Sequence, residues 1–143
     1  MPVILTQTDT TVGFLSQNDK KLYEIKSRKD SKPFIKVYSN FKSLLSSGTR
    51  IPNKFKNNVR RSTRTTFIVK NQAFRVANIK LHSEILRKTK WNFSTSANQA
   101  GKNFDREFCE KKADIIIEDI NGLDEKEASN IFKINQIKRR KLR

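Results

Sequence analysis

The chain has little of what builds covalent or metal-bound frameworks. Among its 143 residues there is one cysteine, Cys109, and one histidine, His82. A lone cysteine forms no internal disulfide, which suits a reducing, cytoplasmic setting. Ordinary zinc sites take several nitrogen and sulfur ligands, so this composition excludes them, and no metal ligand is assigned. A Mg²⁺ carried by substrate phosphates needs few protein ligands and is compatible with the chain. There is no run of about 18 apolar residues, so no transmembrane helix and no membrane partner are expected. The opening Met1-Pro2-Val3-Ile4-Leu5-Thr6 has no basic segment before an apolar stretch and does not read as a signal peptide. Helix-turn-helix and zinc-finger spacings are absent, which ranks a DNA-binding module last. No repeat or linker divides the chain, and its length fits one domain.

Acidic residues are scarce as well. Fourteen Asp and Glu stand against 31 Lys and Arg, a net charge of +17. Such an excess predicts attraction to RNA, DNA or nucleotides. A solvated lysine-rich surface has the same composition, so the charge alone names no partner. The run Lys138-Arg139-Arg140-Lys141-Leu142-Arg143 reads as a basic C-terminal tail, 138–143, after a domain over 1–137.

Strands and helices alternate. A short buried strand is expected over 3–7, bounded by a Thr/Gly turn. A helix follows over 17–27, with Ser16 as N-cap and Leu22 and Ile25 inward. A strand over 33–38 precedes short helices at 41–45, ended by Gly48, and at 51–61. Strands at 65–69 and 73–77 form a hairpin around Lys70-Asn71-Gln72. A helix over 81–88, a strand over 91–95, a helix over 105–111 and an apolar strand over 113–117 follow. A polar loop over 121–127 leads to a last strand or two within 131–137. The pattern is α/β. Cys109 and the aromatics Phe34, Phe41, Phe67, Phe74 and Trp91 sit at core-compatible positions, and His82 reads as surface or packing rather than catalytic.

Small polar and cationic residues are set into these apolar segments. Thr8-Asp9-Thr10-Thr11-Val12-Gly13 follows Val3-Ile4-Leu5, and Lys26-Ser27-Arg28 ends the first helix. Arg75 interrupts Ala73-Phe74-Arg75-Val76, and Thr95-Ser96-Ala97-Asn98 runs on to Gly101. Each piece has a plain structural use: cations complement a helix C-terminus, and Ser-Ala-Asn before Gly is turn chemistry. Thr8 and Thr10 suit a strand. Arg75 on an apolar strand requires either an internal carboxylate or a substrate anion. Together, hydroxyls, cations, an Asn and Gly turns are what a site for an anionic nucleotide needs.

In order and spacing these segments resemble the YrdC/TsaC family of threonylcarbamoyl-adenylate synthases. The family's Pro-Thr-(Asp/Glu)-Thr-x-Tyr-Gly-Leu is matched by Gln7 to Phe14, its Lys-x-Arg by Lys26-Ser27-Arg28, and its Pro-Leu by Pro33-Phe34. Thr66-Phe67-Ile68-Val69, Ala73-Phe74-Arg75 and Thr95-Ser96-Ala97-Asn98-Gln99-Ala100-Gly101 match three further segments. Departures are Gln7 for Pro, Val12 for Tyr, and Thr63-Arg64-Thr65 for the family's Pro-Gly-Pro. Ser129 matches the late Ser, and Arg139 or Arg140 the late Arg. The resemblance implies a single domain, a twisted mixed sheet with flanking helices and a concave basic cleft. It implies joining L-threonine, bicarbonate and ATP into threonylcarbamoyl-AMP, with pyrophosphate released and Mg²⁺ carried by the phosphates. The threonylcarbamoyl group then passes to tRNA, directly or through a transfer complex. Lys26, Arg28, Thr66, Ser96 and Asn98 would hold ATP; Thr8, Thr10, Arg75 and Thr95 would line the threonine side. Attack on the α-phosphorus needs positioning and charge stabilisation rather than an acid–base pair, and no such pair is evident. The alternative is a catalytically weak relative that holds double-stranded or tRNA-like RNA on a cationic concave sheet.

Overall fold

The computed structural model describes residues 1–27, 34–77 and 79–143. Its strands are β1 (Ile4–Gln7), β2 (Val12–Ser16), β3 (Ile35–Tyr38), β4 (Thr65–Val69), β5 (Gln72–Val76), β6 (Trp91–Ser96), β7 (Ile115–Ile117), β8 (Asn130–Ile134) and β9 (Arg139–Lys141). Its helices are α1 (Asp19–Lys26), α2 (Phe41–Ser46), α3 (Lys56–Arg61), α4 (Lys80–Thr89) and α5 (Arg106–Lys112), with a 3-10 turn over Asn53–Phe55 before α3. All nine strands join one mixed sheet in the order β7-β1-β2-β6-β3-β5-β4-β8-β9. Parallel pairs are β1 with β7, β3 with β5 and β4 with β8. The expected α/β class with a mixed sheet and flanking helices is what the chain forms.

The two faces of the sheet are covered unequally. Leu5, Val12 and Phe14 pack with Leu22 of α1 and Cys109 of α5. On the same face Phe67, Phe74 and Tyr38 pack with Leu44 of α2 and Val59 of α3. Among the described residues, α4 is the helix on the other face, where its Ile85 and Leu86 meet Ile4, Leu15 and Val37. Beyond α4, no described helix covers that second face over β4, β5 and β8, whose Thr66, Ile68, Arg75 and Ile131 line a cavity. This asymmetry makes room for a site.

Several expected elements move. Only residues 8–11 form the turn after β1; Val12 to Ser16 is a strand, buried along its whole length. Burial on both faces removes the polar alternation that marks a strand. Ser16 therefore ends β2 rather than capping α1. The cap is Asn18, whose side chain accepts from Lys21 N, while Ser16 Oγ accepts from Asn18 N at 3.0 Å. The residues set apart as a basic tail contain β9, which pairs antiparallel with β8. Asn135 Oδ1 accepts from the backbone N of Ile137 and Lys138, closing the intervening turn. Edge pairing uses the backbone, so a run of cations does not prevent it.

Candidate functional site

The β1–β2 turn is held by its own hydroxyls. Thr8 Oγ1 donates to Thr11 O at 2.5 Å, and Thr10 N donates to Thr8 Oγ1 at 3.2 Å. Gly13 then lets this turn lie against β6. A Cβ there would sit 2.9 Å from Thr8 Cγ2 and 3.1 Å from Thr95 O, so the close approach requires glycine.

Arg75 meets an internal carboxylate, the first of the two partners its sequence context demands. Its Nη2 lies 3.3 Å from Asp9 Oδ1, with both side chains buried. Its Nη1 donates to Thr10 Oγ1 at 3.2 Å. On the far side of Asp9, His82 Nδ1 of α4 lies 3.5 Å from the same oxygen and is fully buried. At that separation the two make no short hydrogen bond. Burial raises the Asp9 carboxyl, but His82 and Arg75 outweigh it and hold it below the ordinary carboxylate value. Burial lowers His82, with Asp9 opposing, so the imidazole is held neutral below its usual range.

Lys26 ends α1 and is buried. Its Nζ donates to Asn98 Oδ1 at 2.7 Å, Asn98 O at 2.9 Å and Ser96 O at 3.1 Å. Ser96 Oγ donates to Asn98 Oδ1 at 2.6 Å, and Asn98 Nδ2 donates to Lys102 O at 2.6 Å. The lysine thus joins the end of α1 to the turn after β6. Arg28 and Pro33 lie outside the described residues.

Across the open face, the hydroxyls of Thr66 and Ser129 are 2.7 Å apart. Arg143 Nε donates to Ser129 O at 2.9 Å, and its Nη2 to Ser129 Oγ at 3.3 Å. The arginine beside Ser129 is Arg143; among the described residues, Arg139 and Arg140 make no hydrogen bond with it. The β8–β9 register decides this: it sets Arg139 opposite Ile134 and Arg140 opposite Lys133, and carries the chain on to Arg143.

One cavity of about 370 Å³ collects these groups. Thr8, Thr10, Thr66, Arg75, Thr95, Ser96, Ser129 and Arg143 line it, with Gly13, Phe34 and Ile35. A shallower hollow of about 230 Å³ adjoins it through Thr11, Ser96 and Ala128 and is bordered by Asn98, Lys102 and Lys126. Asn98 belongs to this second part, and Lys26 acts on both through Ser96 and Asn98. The loop between β7 and β8 forms the rim: Lys126 N donates to Thr11 Oγ1 at 2.9 Å and Asp124 N to Gln7 Oε1 at 2.7 Å. Hydroxyls and guanidinium groups facing a concave space can hold an anionic ligand through charge-assisted hydrogen bonds.

Asp9 and Arg143 had no assigned role in the sequence, and His82, read as surface or packing, is buried. Asp9 could be found from the demand Arg75 makes for a counter-charge; His82 carried no signal. Cys109 is buried, and burial pushes its thiol up, so it offers no nucleophile. Among the described residues no group of three His, Cys, Asp or Glu could hold a metal, and no helix is long and apolar enough to cross a membrane.

Sua5 from P. abyssi, solved as a double variant, superposes with a TM-score of 0.82 at 17% identity, covering 99% of this chain and 52% of that one. Its complex with L-threonine gives 0.80 at 16% identity, over 99% of this chain and 50% of that one. YciO from E. coli gives 0.77 at 20% identity, over 99% and 82%. The chain thus spans about half the length of P. abyssi Sua5. At these identities the likeness is one of fold. Among curated proteins none matches. The model of the Sua5/YciO/YrdC family, described as telomere recombination, matches residues 2–143, nearly the whole chain, and the chain belongs to that family.

Proposed function

We propose that the protein is a threonylcarbamoyl-adenylate synthase of tRNA modification, acting in the cytoplasm. The observation that carries this reading is the convergence of Thr8, Thr10, Thr66, Arg75, Thr95 and Ser96, from distant segments, on one cavity. Its volume falls in the range of small-molecule sites. Support also comes from family membership and from the fold shared with a Sua5 solved with L-threonine.

In the reaction, the threonine amine condenses with bicarbonate, losing water, to give a carbamate. A carbamate oxygen attacks the α-phosphorus of ATP, and the bond to the bridging oxygen of pyrophosphate breaks. Thr66, Ser96 and Asn98 serve the nucleotide side, with Lys26 fixing the turn that presents the last two, and Arg28, two residues on, serves the phosphates. Thr8, Thr10 and Thr95 serve the threonine side, and Arg75 acts there through Thr10. Among the described residues no carboxylate lines the larger cavity, and Glu125 borders the adjoining hollow; Mg²⁺ would be carried by the ATP phosphates. The threonylcarbamoyl group then passes to tRNA, directly or through a transfer complex.

The test is pyrophosphate release from ATP that depends on both threonine and bicarbonate. Ser96→Ala lowers the rate by at least about tenfold, the scale of losing one donor to transition-state charge. Release that ignores threonine, or its absence in the presence of a transfer partner, overturns the reading.

A further inference from the structure

The net charge is confined to two segments of the chain. Residues 34–83 and 128–143 carry 17 of the 31 Lys and Arg and none of the 14 Asp and Glu; the remaining residues carry 14 of each sign. These two segments lie far apart in sequence and together in the fold. They supply β3, β5, β4, β8 and β9, consecutive neighbours at one end of the sheet, with α2 and α3 packed on them. A general taste for lysine would spread cations over both halves and would not strip carboxylates from one.

At this end the charge faces itself. Among the described residues, Arg75 alone of those seventeen lies within ion-pair distance of a carboxylate. In the balanced half, by contrast, Arg106 bridges Glu110 and Glu118, and Lys111 meets Glu107. Lys133 stands directly opposite Arg140 across β8 and β9, a like-charge pairing that disfavours the strand pair. Guarding a sheet edge needs a few lysines on the edge strand itself. It does not require Arg60, Arg61 and Arg64 on and after α3, all exposed.

A built recess lies within this cationic end, on the helix-covered face and so opposite the open cavity. Asn57, Asn58, Arg61 and Ser62 from α3 and its C-cap face Arg139 of β9 across a space of about 370 Å³. Phe132 also lines it, and the Arg139 guanidinium lies 4.9 Å from that ring. Two guanidinium forks, amides and a hydroxyl match phosphodiester oxygens, and an aromatic ring offers a stacking face.

We propose that the α3–β8–β9 flank docks structured RNA, with Arg61 and Arg139 gripping the phosphate backbone. This moves the RNA surface expected on the concave sheet to the opposite face, so RNA and small substrates are held without competing. The choice of RNA over DNA rests on the tRNA-modification reading; the charge argument does not.

Binding of a fluorescent tRNA transcript, without ATP or threonine, tests the proposal across about 50–300 mM salt. The double variant Arg61→Ala/Arg139→Ala binds at least about tenfold more weakly and loses about two units of salt slope, one per phosphate contact. Lys111→Ala/Lys112→Ala, on α5 in the balanced half, binds as the parent does. Arg61→Lys/Arg139→Lys keeps most of the salt slope, which separates lost charge from a disturbed fold. The alanine variant also melts no lower than the parent, because it removes like charges. Absence of tRNA binding at low salt, equal losses in both alanine variants, or equal binding of a DNA duplex or polyglutamate overturns the proposal. Pyrophosphate release is measured separately, and the flank variants retain the parent's rate, so failure of RNA docking and failure of the synthase reading are told apart.

Discussion

Asp9, between Arg75 and His82, shows how single residues couple the site to the fold. Removing one partner of a buried pair strands the other charge, at a cost of about 3–5 kcal/mol. Asp9→Asn should therefore lower the denaturation midpoint far more than loss of an exposed pair such as Lys111 with Glu107. The pH dependence has two windows. His82 titrates below its ordinary 6.5 when folded, because burial disfavours the imidazolium. Below about that value the unfolded chain binds a proton that the folded chain refuses, so stability falls with pH. Asp9 is held below its ordinary 3.8, so its contribution is complete above that value and lost as pH falls through the folded one. Urea midpoints at pH 7.5 and 5.5 should fall in the parent and fall less in His82→Gln; an unchanged slope in the variant refutes the assignment. Gly13→Ala is a steric counterpart. Its new methyl meets Thr8 Cγ2 and the Thr95 carbonyl, and overpacking costs about 1–3 kcal/mol. The displacement should also weaken threonine binding, read by calorimetry. The hydroxyl residues of this site were legible because they lie in ordered local motifs. Asp9 was legible only as the counter-charge Arg75 demands, and His82 not at all, since it meets Asp9 only when folding brings the β1–β2 turn and α4 together.

Elements were legible where local chemistry decides them. The hairpin Lys70-Asn71-Gln72 was readable as a turn, and the register Val69 opposite Gln72 leaves Lys70 and Asn71 as a two-residue loop. Both have positive φ, 48° and 66°, as a type I′ turn requires. Lysine is a poor occupant of that region, where left-handed backbone costs about 1–2 kcal/mol for most side chains. Replacing the pair by Lys70→Asn with Asn71→Gly should raise stability by about 1 kcal/mol, measured as a higher melting temperature with unchanged pyrophosphate release. No gain would mean the turn is not strained. β2 and β9 escaped the sequence for opposite reasons. β2 is buried on both faces and shows no alternation; β9 is all cation, and its strand character comes from pairing with β8. With β9 undefined, Arg143 could not be told from its basic neighbours.

At the scale of the molecule, the mixed α/β class followed from alternating strands and helices, whereas the segregation of charge depends on topology. The sheet order brings 34–83 and 128–143 together although about forty-five residues of balanced charge separate them. Seventeen cations with no carboxylate among them repel one another, and folding concentrates them at one end. Salt shortens the range of that repulsion from about 10 Å at 0.1 M to about 3 Å at 1 M. Raising sodium chloride from 0.05 to about 0.5 M should therefore raise the melting temperature, whereas ion pairs such as Arg106 with Glu118 weaken in the same change. The net sign is set by the larger set, the unpaired cations. In Arg61→Ala/Arg139→Ala the salt-induced rise should shrink, because part of the repulsion is already gone. In Lys111→Ala/Lys112→Ala it should stay, because those residues sit among carboxylates. A parent that melts lower at high salt, or a rise equal in both variants, would show that the cationic end is already neutralised within the fold.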